Sequence, residues 1–155
     1  MSRLVVPHVI AIIALASTHL TQAQDLGCSS AVSLDGGTIE VEADASGDDT
    51  ENIQCALDAA IDGGYRDVFL TSPDYSIGAI AVTGFIGDLR GRGKANTTVS
   101  IQDSSLSCDE SIGVALEFRV GTASVRNMTL SVDSPCSDGS SASVIAYYSN
   151  PAQCD

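Results

Sequence analysis

One helix signal is followed by nothing but short strand-like segments, and this order most constrains the fold. Asp48-Asp49-Thr50-Glu51 precedes the run Asn52 to Asp62. Asp48 is placed to cap, with Glu51 three residues on, as in a capping box. Acids in a first turn also suit the helix dipole. Ile53, Ala56, Leu57, Ala60 and Ile61 recur at the spacing of one apolar helix face. Gly63-Gly64 then ends the helix. Cys55 lies about 200° round from Ile53, on the outward face. A bridge from Cys55 to a segment crossing the helix, such as the one bearing Cys28, is the first expectation for it.

The rest of the chain reads as strands over Thr38–Val41, Asp67–Leu70, Ile77–Val82, Thr98–Ile101, Val114–Val120, Val125–Val132 and Ser143–Tyr148. Turn residues separate them: Gly36-Gly37, Ser72-Pro73-Asp74, Gly91-Arg92-Gly93 and Asp138-Gly139. A β-sandwich would usually carry hairpin signals such as Asn-Gly at two-residue spacing, and no Asn-Gly pair occurs. Many short strands and one amphipathic helix predict an all-β fold.

The N-terminus reads as a processing segment. Arg3 precedes the apolar run Leu4 to Ala16, which is too short for a membrane span of about 18 or more residues. A polar stretch then leads to small residues around Ala23. This is the layout of a secretory signal peptide over residues 1–23, with residues 24–155 as the mature domain. The position three before Cys28 holds Asp25, where a lipidation signal wants an aliphatic residue. The expected location is therefore extracellular or periplasmic, with no membrane association once the signal is removed.

Export removes both histidines, His8 and His19. Ser-His-Asp and Cys-His catalysis and histidine zinc sites are then excluded from the mature chain. The full chain has 7 basic and 20 acidic residues, a net charge of −13. Such a balance argues against a nucleic-acid partner. All five cysteines stay in the mature part, and no two form a CxxC pair. In an oxidising compartment Cys28, Cys55, Cys108 and Cys136 are disulfide candidates. Their connectivity is open. The Cys108 to Cys136 spacing is near the length of one coil of a β-solenoid, so a bridge there would staple neighbouring coils. Five cysteines leave one over, for lipidation at Cys28, a bridge between chains or a missing partner; Cys154 is the expected unpaired residue, and a partner beyond Asp155 is the preferred explanation.

Residues 45–101 resemble the secreted right-handed parallel β-helix proteins of the pectate-lyase-like superfamily. The resemblance lies in Gly47-Asp48-Asp49-Thr50, the Ile53-Gln54 pair and Gly63-Gly64-Tyr65. It continues through Val68-Phe69-Leu70, Pro73-Asp74-Tyr75-Ser76-Ile77, Leu89-Arg90-Gly91-Arg92-Gly93-Lys94 and Thr98-Val99-Ser100-Ile101. Val125 to Leu130 is similar to the strand of a later coil. The resemblance implies a right-handed parallel β-helix whose amphipathic helix covers the open N-terminal end of the core. It implies too that these residues are the N-terminal part of a longer β-helix domain, because room remains for only three or four coils. It further implies an exported protein that interacts with polysaccharide, and a lyase or hydrolase of acidic glycans if the full-length protein is catalytic. The paired Asp with Gly-His-Gly of polygalacturonases and the Arg-x-Pro-x-x-Arg of pectate lyases are absent. The rival reading is a non-catalytic extracellular structural or adhesive scaffold.

Arg90, Arg92 and Lys94 are half the cations of the mature chain and would share a face if extended. They are the candidate substrate-binding residues, for carboxylates of an acidic polysaccharide; the competing reading is a solvated turn balancing acids such as Asp88. Gly87 to Lys94 fails the phosphate-loop pattern, because Ala95 follows Lys94 and five residues separate Gly87 from Gly93. Asp44, Asp48 and Asp49, or Asp133 with Asp138, offer hard oxygens for calcium, yet neither set matches an EF-hand loop. Helix capping and turn chemistry account for them, and no metal or other cofactor is expected. Asn96-Thr97-Thr98 and Asn127-Met128-Thr129 are glycosylation sequons. Asn127 is also suited to stacking in a turn ladder. Tyr147-Tyr148 offers one outward ring for sugar stacking and one ring for the core.

Overall fold

The computed structural model describes residues 26–102, 114–132 and 143–148. The described residues form eleven strands and one helix. A hairpin, β1 (Val32–Asp35) and β2 (Thr38–Val41), comes first, followed by α1 (Thr50–Gly63). Three rounds of three strands then follow. The first is β3 (Asp67–Leu70), β4 (Asp74–Ile77) and β5 (Ile80–Thr83). The second is β6 (Ile86–Arg90), β7 (Thr98–Ile101) and β8 (Val114–Arg119). The third is β9 (Thr122–Arg126), β10 (Thr129–Val132) and β11 (Ser143–Tyr148).

Each round delivers one strand to each of three sheets, in the same order. The first sheet runs β1-β2-β3-β6-β9, the second β4-β7-β10, and the third β5-β8-β11. Every pairing except the β1–β2 hairpin is parallel. Like residues stack in register: Tyr75 on Val99 on Leu130, and Val82 on Phe118 on Tyr147. The period-2 pattern turns alternate side chains to one face, so Val68, Leu70, Ile77, Ile80, Val82, Leu89, Val99, Ile101 and Leu116 enter a single core.

The helix closes one end of this core with Ile53, Ala56, Leu57 and Ala60. Gly64 takes the left-handed conformation at its C-terminus (φ 70°), and Tyr65 N–H reaches back to Ala60 O at 2.8 Å. The N-terminus departs from the capping-box expectation. Asp49, not Asp48, sits at the cap, and its side chain bonds nothing in the helix. Its buried carboxylate instead accepts from Asp44 N–H (2.5 Å) and Ser76 N–H (2.9 Å), while its own N–H donates to Ser76 O (2.8 Å). Asp48 accepts from the N–H and hydroxyl of Thr50.

These bonds finish the edges of two sheets. β4 is the outer strand of the second sheet, and its edge is met by Asp49 and by Thr50 Oγ1, which accepts from Gly78 N–H at 2.7 Å. β5 is the outer strand of the third, and Gln54 serves it. The amide of Gln54 donates to Ala81 O (3.1 Å) and accepts from Ala81 N–H (3.2 Å), as a neighbouring strand would. The β1–β2 hairpin covers the first sheet. A strand edge left bare would invite pairing with other chains.

Two expected strands prove to be two strands each. Ile77–Val82 breaks at Gly78-Ala79 into β4 and β5, and Val125–Val132 breaks at Asn127-Met128 into β9 and β10. In both the chain passes from one sheet to the next. Val114–Val120 ends at Arg119, since Val120 adopts φ 50°. β1 and β6 are strands that the sequence pattern did not announce.

Cys28 and Cys55 form a disulfide that ties the segment before β1 to the helix. Cys108, Cys136 and Cys154 lie outside the described residues, as do Asp133 and Asp138.

Candidate functional site

The outer face of the first sheet gathers charge and an aromatic ring. Parallel register sets Glu40, Phe69, Arg90 and Arg126 in one row. The neighbouring row holds Asp67, Asp88 and Ser124. Each arginine reaches back to the acid of the preceding round. Arg90 grips Asp67 through two bonds of 2.7 Å, and Arg126 meets Asp88 at 2.5 Å. The Arg90 guanidinium also lies 4.0 Å over the Phe69 ring, a cation–π contact.

This geometry fixes protonation states. The Arg90 guanidinium, aided by the Thr38 hydroxyl, holds the Asp67 carboxyl below the usual carboxylate range against the effect of partial burial. Asp67 in turn pushes Arg90 further up. A carboxyl stabilised as its anion makes a poor general acid. Asp67 is therefore a positioning partner for Arg90.

The three cation candidates are separated. Arg90 ends β6 in the paired row. Arg92 and Lys94 follow on the turn from the first sheet to the second, so they do not continue one extended face. Both are exposed. The Arg92 backbone N–H donates to the buried Thr97 hydroxyl at 2.9 Å, and its guanidinium makes one long bond, 3.4 Å, to Thr71 O. Among the described residues, no carboxylate lies within ion-pair reach of Arg92 or Lys94. This turn is tightly packed. A Cβ on Gly91 would sit 2.6 Å from Thr97 Cβ and 2.7 Å from Asn127 O.

Phe69, Arg126 and Asp67 belong to this face and were not singled out from the sequence, whereas Asp88 was expected only as an acid balancing the turn cations. Their strands are far apart in the chain, and only the register brings them together. The alternation of Phe69 with buried Val68 and Leu70 was the one available signal that its ring faces out.

The remaining candidates fit less well. A groove over the outward side of α1 is lined in part by Glu51, Asp58 and Asp62. Three acids would repel an anionic ligand there. Asp44 and Asp48 are held below the usual carboxylate range, by Ser46 N–H and by the Thr50 hydroxyl respectively, and Asp49 is engaged with backbone. Among the described residues, no group of acids, cysteines or histidines could hold a metal ion. Tyr147 stacks on Phe118 at 5.5 Å in the row that carries core residues, and is 54% exposed, while Tyr148 is half-buried beside Arg119. The exposed ring is thus the one in the row of core residues, because β11 is an edge strand of its sheet.

No protein-family model matches the chain, and no curated protein or solved structure matches it. Among the described residues, no helix is long and apolar enough to cross a membrane.

Proposed function

We propose that this chain is an exported right-handed parallel β-helix of the pectate-lyase-like kind that binds an acidic polysaccharide at the first sheet and its adjoining turn. Four of the six cations in residues 24–155 cluster there: Arg90, Arg92, Lys94 and Arg126. The observation that carries the reading is the pair Arg92 and Lys94. In a chain of net charge −13 they stand exposed, outside the ion pairs that occupy Arg90 and Arg126. An exposed guanidinium and an exposed ammonium outside any ion pair suit the carboxylates of a uronic-acid chain. The Phe69–Arg90–Arg126 row gives them a rigid base. The repeated visit to three parallel sheets supports a solenoid, and parallel crossovers are right-handed in nearly all proteins. The signal-like residues 1–23 and the Cys28–Cys55 bridge support export.

The second reading is a non-catalytic structural or adhesive scaffold. The ladder favours it, since Arg90 and Arg126 are committed to Asp67 and Asp88. Affinity electrophoresis separates the two. Native gels containing polygalacturonate should retard the protein, and gels containing a neutral glucan should not. The double variant R92A/K94A should bind about tenfold more weakly, from two exposed contacts of about 0.7 kcal/mol each. Equal mobility in all gels would leave the scaffold reading.

A further inference from the structure

We infer that Asn96 and Asn127 both carry N-linked oligosaccharides. Their sequons, Asn96-Thr97-Thr98 and Asn127-Met128-Thr129, are brought together by the fold. Thr98 pairs with Thr129 in the parallel register of β7 and β10, and each asparagine lies two residues before its paired threonine. Thr129 N–H donates to Thr97 O at 2.9 Å, and Thr129 Oγ1 donates to Lys94 O at 2.8 Å. The two sequons therefore occupy equivalent turns of neighbouring rounds, on one corner of the molecule.

The fold uses the backbones of both asparagines and leaves their side chains alone. Asn96 N–H donates to Gly93 O (2.9 Å), and Asn127 O accepts from Gly93 N–H (2.8 Å). Both residues are exposed, and neither side-chain amide has a hydrogen-bond partner among the described residues. The turn-ladder role for the Asn127 side chain thus finds no partner there. Asn52 shows the contrast: it is buried, and its Oδ1 accepts from Ser29 Oγ at 2.6 Å. Asn127 sits at φ 58°, a left-handed conformation that asparagine tolerates better than most residues.

In the transfer, Nδ2 attacks the anomeric carbon of a lipid-linked oligosaccharide. One C–N bond forms, one C–O bond to the lipid diphosphate breaks, and the amide proton is lost to solvent as the diphosphate departs. The sequon hydroxyl at Asn96 belongs to Thr98, which is half-buried at the start of β7.

The inference rests on the export half of the proposed function. The test takes the protein secreted by its native host and maps its peptides before and after an amidase that releases N-linked glycans and leaves aspartate behind. Conversion at both 96 and 127 is expected. An exported chain beginning near Gln24 with asparagine unchanged at both positions would overturn the inference and leave export standing. Conversion at one position only would overturn it for the other. A chain that retains residues 1–23 inside the cell would overturn export and the inference together. In a secretory host with the same transferase, N96Q and N127Q should each lose one glycan and N96Q/N127Q all of them.

Discussion

Replacing Asp49 with alanine discriminates between two accounts of how the helix end is held. A capping box would make Asp48 the stabilising acid. The structure gives that part to Asp49, whose carboxylate serves two backbone N–H groups outside the helix and none inside it. Hydrogen bonds to a charged acceptor contribute about 1.5–3 kcal/mol each. The Ser76 N–H is partly buried and would lose its acceptor outright, whereas the Asp44 N–H sits in an exposed loop where water can replace it. D49A should therefore cost about 3 kcal/mol, with no separate helix-cap contribution. D48A removes only an exposed turn around Thr50 and should cost about 0.5–1 kcal/mol. Urea unfolding followed by far-UV circular dichroism is the assay. With a slope of about 1.5–2 kcal/mol/M, D49A should lower the midpoint by about 1.5–2 M. D49N is the fallback if D49A does not fold: its amide retains one acceptor and should expose the Ser76 N–H to faster hydrogen exchange. The reasoning fails if D48A destabilises as much as D49A.

The Cys28–Cys55 bridge closes a loop with a sequence separation of 27, so C28A/C55A should lower stability by about 3.5 kcal/mol in the chain-entropy picture, read as a urea midpoint. The Asp67 carboxyl is held below its unfolded value of about 3.9, so its stabilising contribution is complete above about pH 4 and is lost as pH falls through the lowered folded value. D67N should flatten the stability curve in that acid window; an unchanged slope would refute the pairing with Arg90. A Cβ on Gly121 would stand 2.2 Å from the backbone oxygen of Phe85, so G121A should cost about 1–3 kcal/mol in thermal or urea unfolding.

Much of this architecture was legible residue by residue. The α1 face Ile53, Ala56, Leu57 and Ala60 followed from helical spacing, and the bridge from Cys55 to Cys28 followed from its position opposite that face. β2, β3 and β7 matched their expected limits because apolar alternation stops where the turn residues begin. The corners were harder. Alternation carries on through Gly78-Ala79 and Asn127-Met128, and nothing local says that the strand there changes sheets. β6 went unseen because Gly87, Asp88 and Arg90 read as a charged turn; its outward residues are satisfied by Asp67 and Arg126 on neighbouring rounds. Asp49 was hidden for a similar reason. A buried acid that bonds another strand looks, in sequence, like one more acid in a first turn. For the candidate site, Arg92 and Lys94 were visible as an excess of cations, but the Phe69–Arg90 contact needed the register.

The cap, the arginine ladder and the proposed glycan face all depend on successive rounds pairing in parallel across three sheets. Backbone NOEs between strands test that arrangement most directly. Contacts are expected between Val68 and Leu89, Val99 and Leu130, and Leu116 and Ile145, each in a parallel pattern. An antiparallel pattern between consecutive strands, such as β4 with β5 or β9 with β10, would contradict it.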